Sequence, residues 1–181
     1  MDDFSKIRRL NGEISQMKKN NNPHPGIKIT FDENNVTKDW RVTLEGPKDS
    51  LYEGGKFHAT VSFPVNYPYT APIVKFDTNI KHCNFGSDGN ICISTLSNWT
   101  SATTVESVMI AILVLLSDPN PEDPLNFQLA NRYKNDKKKY EEEIREWVKK
   151  HASSNSNSHD TKKTTAVPEY NESDSDDSDT D

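Results

Sequence analysis

The sequence is short of cysteine and contains no long hydrophobic run. Its 181 residues include only Cys83 and Cys92, too few for the disulfide framework typical of a small secreted protein. The longest apolar stretch, residues 108–116, is far shorter than the roughly 20 residues that cross a bilayer. No apolar segment near residue 1 resembles a signal peptide. We therefore expect an intracellular protein, cytoplasmic or nuclear, that has no membrane partner.

The first 152 residues also lack a net charge, because they carry 20 Lys and Arg against 20 Asp and Glu. A basic surface of the kind that binds nucleic acid is therefore not expected. Residues 153–181 carry two Lys against eight acidic residues and account for the whole formal charge of −6. Because this stretch has almost no apolar residues, we predict a disordered acidic tail after one domain of residues 1–152. Ser173 and Ser178 each precede an Asp by three positions and are candidate phosphorylation sites.

Hydrophobic periodicity in the first half predicts one helix followed by four strands. Spacings of three and four residues indicate the helix, on a face formed by Phe4, Ile7, Leu10, Ile14 and Met17. Alternating apolar and polar residues then predict strands near residues 27–31, 40–44, 57–63 and 73–76. Because the links between these strands are short and rich in turn residues, the pattern favours an antiparallel meander.

The second half is predicted to be helical. Thr103 and Glu106 have the Thr-x-x-Glu spacing of a capping box before a helix that is apolar on most sides, which we expect to be central and buried. Asn126 is predicted to cap a short helix that ends near Asn135, and a last helix is predicted to end near His151. The expected fold class is α+β, with an N-terminal helix, a four-stranded antiparallel meander, a buried helix and two C-terminal helices.

The residues around Cys92 suggest acyl transfer. A thiol is both a nucleophile and a leaving group, and an amide donor such as Asn84, eight positions upstream, can stabilise an oxyanion. The carboxylate of Asp123, in a loop stiffened by prolines, can orient an incoming amine. The alternative for Cys92 is a small buried core residue, the usual fate of a free cysteine.

Five sequence blocks in unbroken order resemble those of ubiquitin-conjugating enzymes. They are EGPKDSLYEGGKF at 45–57, FPVNYPYTAP at 63–72, HCNFGSDGNICI at 82–93, NW at 98–99 and DPNPEDPLN at 118–126. The resemblance implies that Cys92 accepts ubiquitin as a thioester from an activating enzyme. It then implies transfer to a lysine of a substrate protein with a ubiquitin ligase of the RING or HECT type. No cofactor is implied, because the activating enzyme consumes the ATP.

Two alternatives remain open at this level. One is a catalytically weak or silent binding scaffold of the same fold, and the other is a conjugating enzyme for another ubiquitin-like protein. The change from the family's usual His-Pro-Asn to His82-Cys83-Asn84 leaves the scaffold open, whereas Cys92 argues against it.

The resemblance also assigns roles around the thiol. Asn84 is expected to donate to the oxyanion, to brace its loop, or to do both. Asp123 is expected to orient the attacking lysine and help remove its proton, with burial beside the neighbouring prolines raising its basicity. Asn120 and Leu125 are expected to line the same groove. His82 is expected to be structural, and we expect no metal site, because a structural zinc needs four ligands and no fourth is evident.

Further assignments concern departures from the family pattern and the ligase. Cys83 stands where the family usually has Pro, and it adds a thiol that could take an acyl group, pair with Cys92, or only pack. Lys81 replaces a residue that is often aromatic, and its cation could favour the thiolate of Cys92. The ligase-facing surface is expected to include Arg8, Arg9, Phe63, Thr100, Ser101 and Ala102.

Overall fold

The computed structural model describes residues 3–19, 24–91, 96 and 99–153. One helix precedes four strands, and three helices follow. The elements are α1 (Asp3–Lys19), β1 (Ile27–Thr30), β2 (Trp40–Glu45), β3 (Lys56–Ser62), β4 (Ile73–Phe76), α2 (Val105–Ser117), α3 (Phe127–Asn135) and α4 (Lys137–His151). The predicted α+β class and the order of its elements are confirmed. Cys92 and the acidic tail lie outside the described residues.

The sheet is the predicted meander, with strand order β1-β2-β3-β4 and every pair antiparallel. Alternation along β2 buries Trp40, Val42 and Leu44, while the residues between them face outward. The inner face packs against α2, so that the apolar side chains of both form one core. This face carries Trp40, which also contacts Phe31 and Phe63 edge-on or tilted, with ring centroids 5.4 and 4.9 Å apart.

Helix α2 begins one residue later than the capping box predicts. Its N-cap is Thr104, whose hydroxyl accepts from the N–H of Ser107, and Ser107 returns a bond to the N–H of Thr104. The predicted capping box had the side chain of Glu106 accept from the backbone N–H of the N-cap residue. Ser107 accepts that hydrogen bond instead, because it is the third residue of the helix. The helix buries six apolar residues, Val105, Val108, Met109, Ile112, Leu113 and Leu116.

The expectation that α2 is buried on most sides is only partly right. Ile110 is 37% exposed and Val114 is 61% exposed, because the sheet covers one face of the helix and not the other. Apolar composition alone does not reveal which face of a helix a neighbouring element covers.

The C-terminal helices follow the predicted boundaries. Asn126 caps α3, accepting from the N–H of Leu129 at 3.0 Å. Helix α4 packs on the core through Tyr140, Ile144 and Val148. Its end is joined to the start of β3, because the N–H of Lys56 donates to the carbonyl of Ala152 at 2.9 Å. Within the described ranges, no helix combines the length and the apolar character that crossing a membrane requires.

Candidate active site

A tight turn at residues 85–91 leads into Cys92. Phe85 and Ile91 form an antiparallel bridge. Phe85 directly follows Asn84 in the chain, and Ile91 directly precedes Cys92. Gly89 has φ +83°, and a Cβ there would lie 2.3 Å from the carbonyl oxygen of Phe76. Its carbonyl accepts from the N–H of Phe76 at 2.9 Å. Glycine is therefore needed for the turn to lie against β4.

His82 is buried, and its hydrogen bonds to the protein favour the predicted structural role. Its Nε2 donates to the carbonyl of Leu115 on α2 at 3.0 Å, and its Nδ1 accepts from the N–H of Asn84 at 3.0 Å. These partners assign the neutral tautomer, because a charged imidazole could not accept a hydrogen bond. Burial lowers the pKa of His82 to about 4. The ring of Tyr52 packs beside it, with centroids 5.6 Å apart.

Asn84 braces the segment of residues 118–127, which we name the proline-rich rim. Its Nδ2 donates to the carbonyls of Asn120 and Asp123, each at 2.7 Å, and its Oδ1 accepts from the N–H of Asn120 at 2.9 Å. An amide nitrogen has two hydrogens, and both are used here. The geometry therefore supports the bracing role, whereas donation to an oxyanion would require one of these bonds to break.

Cys83 is a packed core residue. Its side chain is fully buried, and burial raises the pKa of its thiol to about 11. Its Sγ lies 3.3 Å from Oδ1 of Asn84. A buried thiol with a raised pKa is a poor nucleophile, so these properties favour packing over acyl transfer by Cys83.

The backbone of Cys83 holds the proline-rich rim at a second point. Its carbonyl accepts from the N–H groups of Leu125 and Asn126, both at 2.8 Å. Asp123 and Leu125 are exposed on this rim, and Asn120 is exposed beside them. The expectation that Asp123 is buried beside the prolines is wrong, because the rim is held through its backbone and Asp123 is exposed on it.

Lys81 is held by an ion pair on the side facing the C-terminal helices. Its ammonium contacts Glu143 on α4, which also contacts Arg132 on α3. Hydrogen bonds from Lys81 and Arg132 outweigh partial burial and lower the pKa of Glu143. Because the Lys81 charge is already paired, these contacts do not support the prediction that it activates Cys92.

The predicted ligase residues lie together on what we name the α1 face, formed by α1 with residues 63–69 and 99–104. Arg8 and Ala102 line a groove of about 450 Å³ there, and Thr100 and Ser101 are exposed beside it. Arg9 instead joins the two parts of the face. Its guanidinium donates to the carbonyls of Ser101 and Thr103, each at 2.6 Å.

A buried carboxylate completes this junction. Glu13 accepts from Arg9 Nε at 2.7 Å, from the Tyr67 hydroxyl, and through Oε2 from the N–H of Val105 at 2.9 Å. The last contact places a negative charge at the N-terminus of α2, where the helix dipole stabilises it. The periodicity of α1 gave no sign of this residue, because an acidic residue on a helix is usually exposed.

Phe63 is largely buried, which does not favour its predicted contact with a ligase. Its side chain is 8% exposed and packs edge-on against Trp40 and Tyr67, with both centroid distances 4.9 Å. The exposed aromatic residue of this loop is Tyr69, which is 65% exposed and lines the groove beside Arg8. Sequence reasoning missed Tyr69, and the pattern of residues 63–69 gives no signal for it, because Phe63 and Tyr67 stand at the same spacing of two and are buried.

Across the described residues, no group of three or more His, Cys, Asp or Glu is arranged to hold a metal ion. His82, a predicted site residue with metal-binding chemistry, uses both ring nitrogens in hydrogen bonds to the protein.

Comparison with known proteins bears on the whole domain. The model of the ubiquitin-conjugating enzyme family matches residues 9–148. Ubiquitin-conjugating enzyme E2 14 of Schizosaccharomyces pombe is 38% identical over 152 residues, covering 83% of this chain and 96% of the relative. A crystal structure from Plasmodium yoelii, assigned to the ubiquitin-conjugating enzymes, superposes with a TM-score of 0.72 at 32% identity. It covers 81% of this chain and 95% of the other.

The family model and the relative identify the class as transferases of the ubiquitin-conjugating kind, and the helix, the meander and the later helices agree with that class. The chain belongs to the ubiquitin-conjugating enzyme family, because the family model and the relative cover most of its length.

Proposed function

We propose that this chain accepts ubiquitin on Cys92 as a thioester from an activating enzyme and transfers it to a substrate lysine with a ubiquitin ligase. The observation that carries the proposal is a pair of fixed segments, residues 85–91, which directly precede Cys92 in the chain, and the proline-rich rim. The bridge between Phe85 and Ile91 presents the turn, and Asn84 holds the proline-rich rim beside it.

Charging exchanges one thioester for another. The Cys92 thiolate attacks the thioester carbonyl carbon on the activating enzyme, a new C–S bond forms, and the sulfur of the activating enzyme leaves. This reaction needs no resident cofactor, because the activating enzyme has already spent ATP. Discharge is aminolysis: a lysine amine attacks the same carbon, the C–S bond breaks, and the Cys92 thiolate leaves as the amine loses its proton.

The rim residues serve the second step. Asp123 extends an exposed carboxylate that can attract and orient the lysine amine. Asn84 acts mainly as a positioning residue, because its two amide hydrogens hold the carbonyls of Asn120 and Asp123. The α1 face, with Arg8, Tyr69 and Ala102 around its groove, receives the ligase.

The test is charging with an activating enzyme, ATP and ubiquitin, followed by electrophoresis with and without reductant. We expect a reductant-sensitive adduct on the wild type, none on Cys92→Ala, and a reductant-resistant ester on Cys92→Ser, because oxygen is a poorer leaving group than sulfur. Cys83→Ala is the matched control and should charge normally. Full charging of Cys92→Ala would overturn the proposal.

Two further arms separate the alternatives. A panel of other ubiquitin-like proteins, each with its own activating enzyme, tests the choice of modifier, and charging by one of these instead of ubiquitin would identify a different conjugating enzyme. Asp123→Asn should charge normally and discharge to free lysine more slowly. If the wild type is folded and none of the modifiers forms a thioester with it, the chain is a binding scaffold.

A further inference from the structure

The proline-rich rim presents two apolar side chains to solvent. Leu125 is 42% exposed and Phe127 is 76% exposed, the largest value among the exposed large hydrophobic residues of the described chain. A single exposed apolar side chain on a monomer is ordinary. Here two of them lie on one short segment that also carries Asp123, the residue proposed to orient the acceptor lysine.

Hydrogen bonds hold the backbone of the rim at the residues that carry these two side chains. The N–H groups of Leu125 and Asn126 bind the carbonyl of Cys83, and Asn126 caps α3, of which Phe127 is the first residue. A side chain on a fixed backbone loses less conformational entropy when a ligand covers it than one on a mobile loop. Phe127 is therefore preorganised for contact.

The position of Phe127 limits what can cover it. It follows Asp123 by four residues, so the two Cα atoms lie within about 14 Å of each other. A peptide whose lysine is at Asp123 places its residues one or two positions away within about 7 Å of that lysine, a distance that lies within the span between Asp123 and Phe127. Asp123 adds an acidic group to the same rim, which favours a lysine, whereas the carboxylate of Glu122 is already paired with Lys134 at 2.8 Å.

We infer that Phe127, together with Leu125, is a specificity determinant that favours acceptor lysines with a large apolar residue one or two positions away. The inference rests on the proposed function and names its substrate class. The occupant is the acceptor segment, because the apolar pair is continuous with the rim that carries Asp123. No new chemical step is added, since binding the neighbouring residue only holds the lysine longer near the thioester.

The experiment uses the full chain charged with ubiquitin and then separated from the activating enzyme. Discharge is followed with free lysine and with three peptides that differ only in the residues flanking the lysine, which are Leu, Ser or Glu. We expect the Leu peptide to react about three to ten times faster than the Ser peptide, less than the roughly 10–200-fold that an enclosed hydrophobic pocket gives, because this surface is open.

Variants identify the residue responsible. Phe127→Ser should lower the rate of the Leu peptide to that of the Ser peptide and leave discharge to free lysine unchanged. Phe127→Arg should shift the preference to the Glu peptide. Ile73→Ser is the matched control, because Ile73 is 61% exposed on β4, away from the rim, and its loss should leave the peptide preference intact.

The outcomes separate this inference from the function beneath it. Equal rates for all three peptides, or an equal loss on Phe127→Ser for every acceptor, would overturn the inference while normal charging and discharge to free lysine upheld the function. A peptide preference that Ile73→Ser abolishes as well would also overturn it. If no thioester forms on Cys92 at all, the proposed function itself is overturned.

Discussion

The proline-rich rim and the α1 face both include irregular segments, yet different contacts hold them. The rim is fixed by one short stretch, in which Asn84 and the carbonyl of Cys83 make five hydrogen bonds to residues 120–126. The α1 face is joined by long side chains that cross from one element to another, chiefly Arg9 and Glu13.

This difference teaches where each region tolerates change. A backbone-pinned rim keeps its shape when its outward side chains are replaced, so its surface can vary for specificity. The α1 face depends on side chains that are partly or fully buried, so replacing them changes the fold as well as the surface.

The largest expected effect tests which aromatic residue of the α1 face is structural. Phe63→Ala should lower the free energy of unfolding by about 3–5 kcal/mol, because it leaves a cavity beside Trp40 and Tyr67. Tyr69→Ala should leave stability nearly unchanged and slow only ligase-dependent discharge, because Tyr69 is exposed. Urea denaturation and discharge with and without a ligase measure both. A large loss of stability in Tyr69→Ala, with none in Phe63→Ala, would reverse the assignment.

The next largest effect breaks the junction of the α1 face. Glu13→Ala should destabilise the domain by about 3 kcal/mol, since Arg9, the Tyr67 hydroxyl and the N–H of Val105 all lose their acceptor. Glu13→Gln is the control and should lose less, because its carbonyl oxygen can still accept. Chemical denaturation at neutral pH gives both values, and a loss below about 1 kcal/mol in Glu13→Ala would mean that the junction contributes little.

The next prediction tests the rim. It replaces the side-chain amide of Asn84, which donates two hydrogen bonds, with a carboxylate of similar size. In Asn84→Asp, a carboxylate oxygen faces the carbonyls of Asn120 and Asp123, so we expect a loss of about 2–3 kcal/mol. Charging should remain near normal, while discharge to free lysine falls because the rim is displaced. Asn79→Asp, at an exposed asparagine, controls for the added charge. Equal losses in charging and discharge would show that Asn84 only maintains the fold.

The smallest effect concerns His82 and the pH dependence of stability. Its pKa is about 4 in the folded chain, below the ordinary 6.5, so the unfolded chain binds the proton first as pH falls. The stabilisation is present above pH 6.5 and is lost towards pH 4. Between pH 7 and 5 the wild type should therefore lose about 2 kcal/mol more than His82→Gln. Urea titrations at pH 7, 6 and 5 measure this difference. The same slope in both proteins would contradict a neutral buried His82.

Much of the fold could be predicted from local patterns. Alternation in β2 and the spacing of apolar residues in α2 each identify an element, because the buried side of a strand or helix repeats with its own geometry. The cap of α2 was misplaced by one residue, since Thr103 and Thr104 are equally good capping residues and only the backbone at Thr104 is extended at the correct point.

The candidate site was predictable as a set of residue types and less so as a set of contacts. The resemblance placed Asn84 and Asp123 together, and the structure brings the amide of one to the backbone of the other. It did not show that Asp123 is exposed or that Asn84 uses both amide hydrogens. Those facts depend on how residues 118–126 fold back on residues 83 and 84.

The sequence alone determined the order of the helices and strands, the identity of the chemical groups and the membership of a family, because each depends on residues close together in the chain or on ordered blocks. Only the tertiary structure decided which side chains are surface and which are supports. His82 meets its partner 33 residues away and Glu13 meets Val105 at a separation of 92. No local pattern reports such pairs, because they exist only after the core has packed and left those polar groups to satisfy one another.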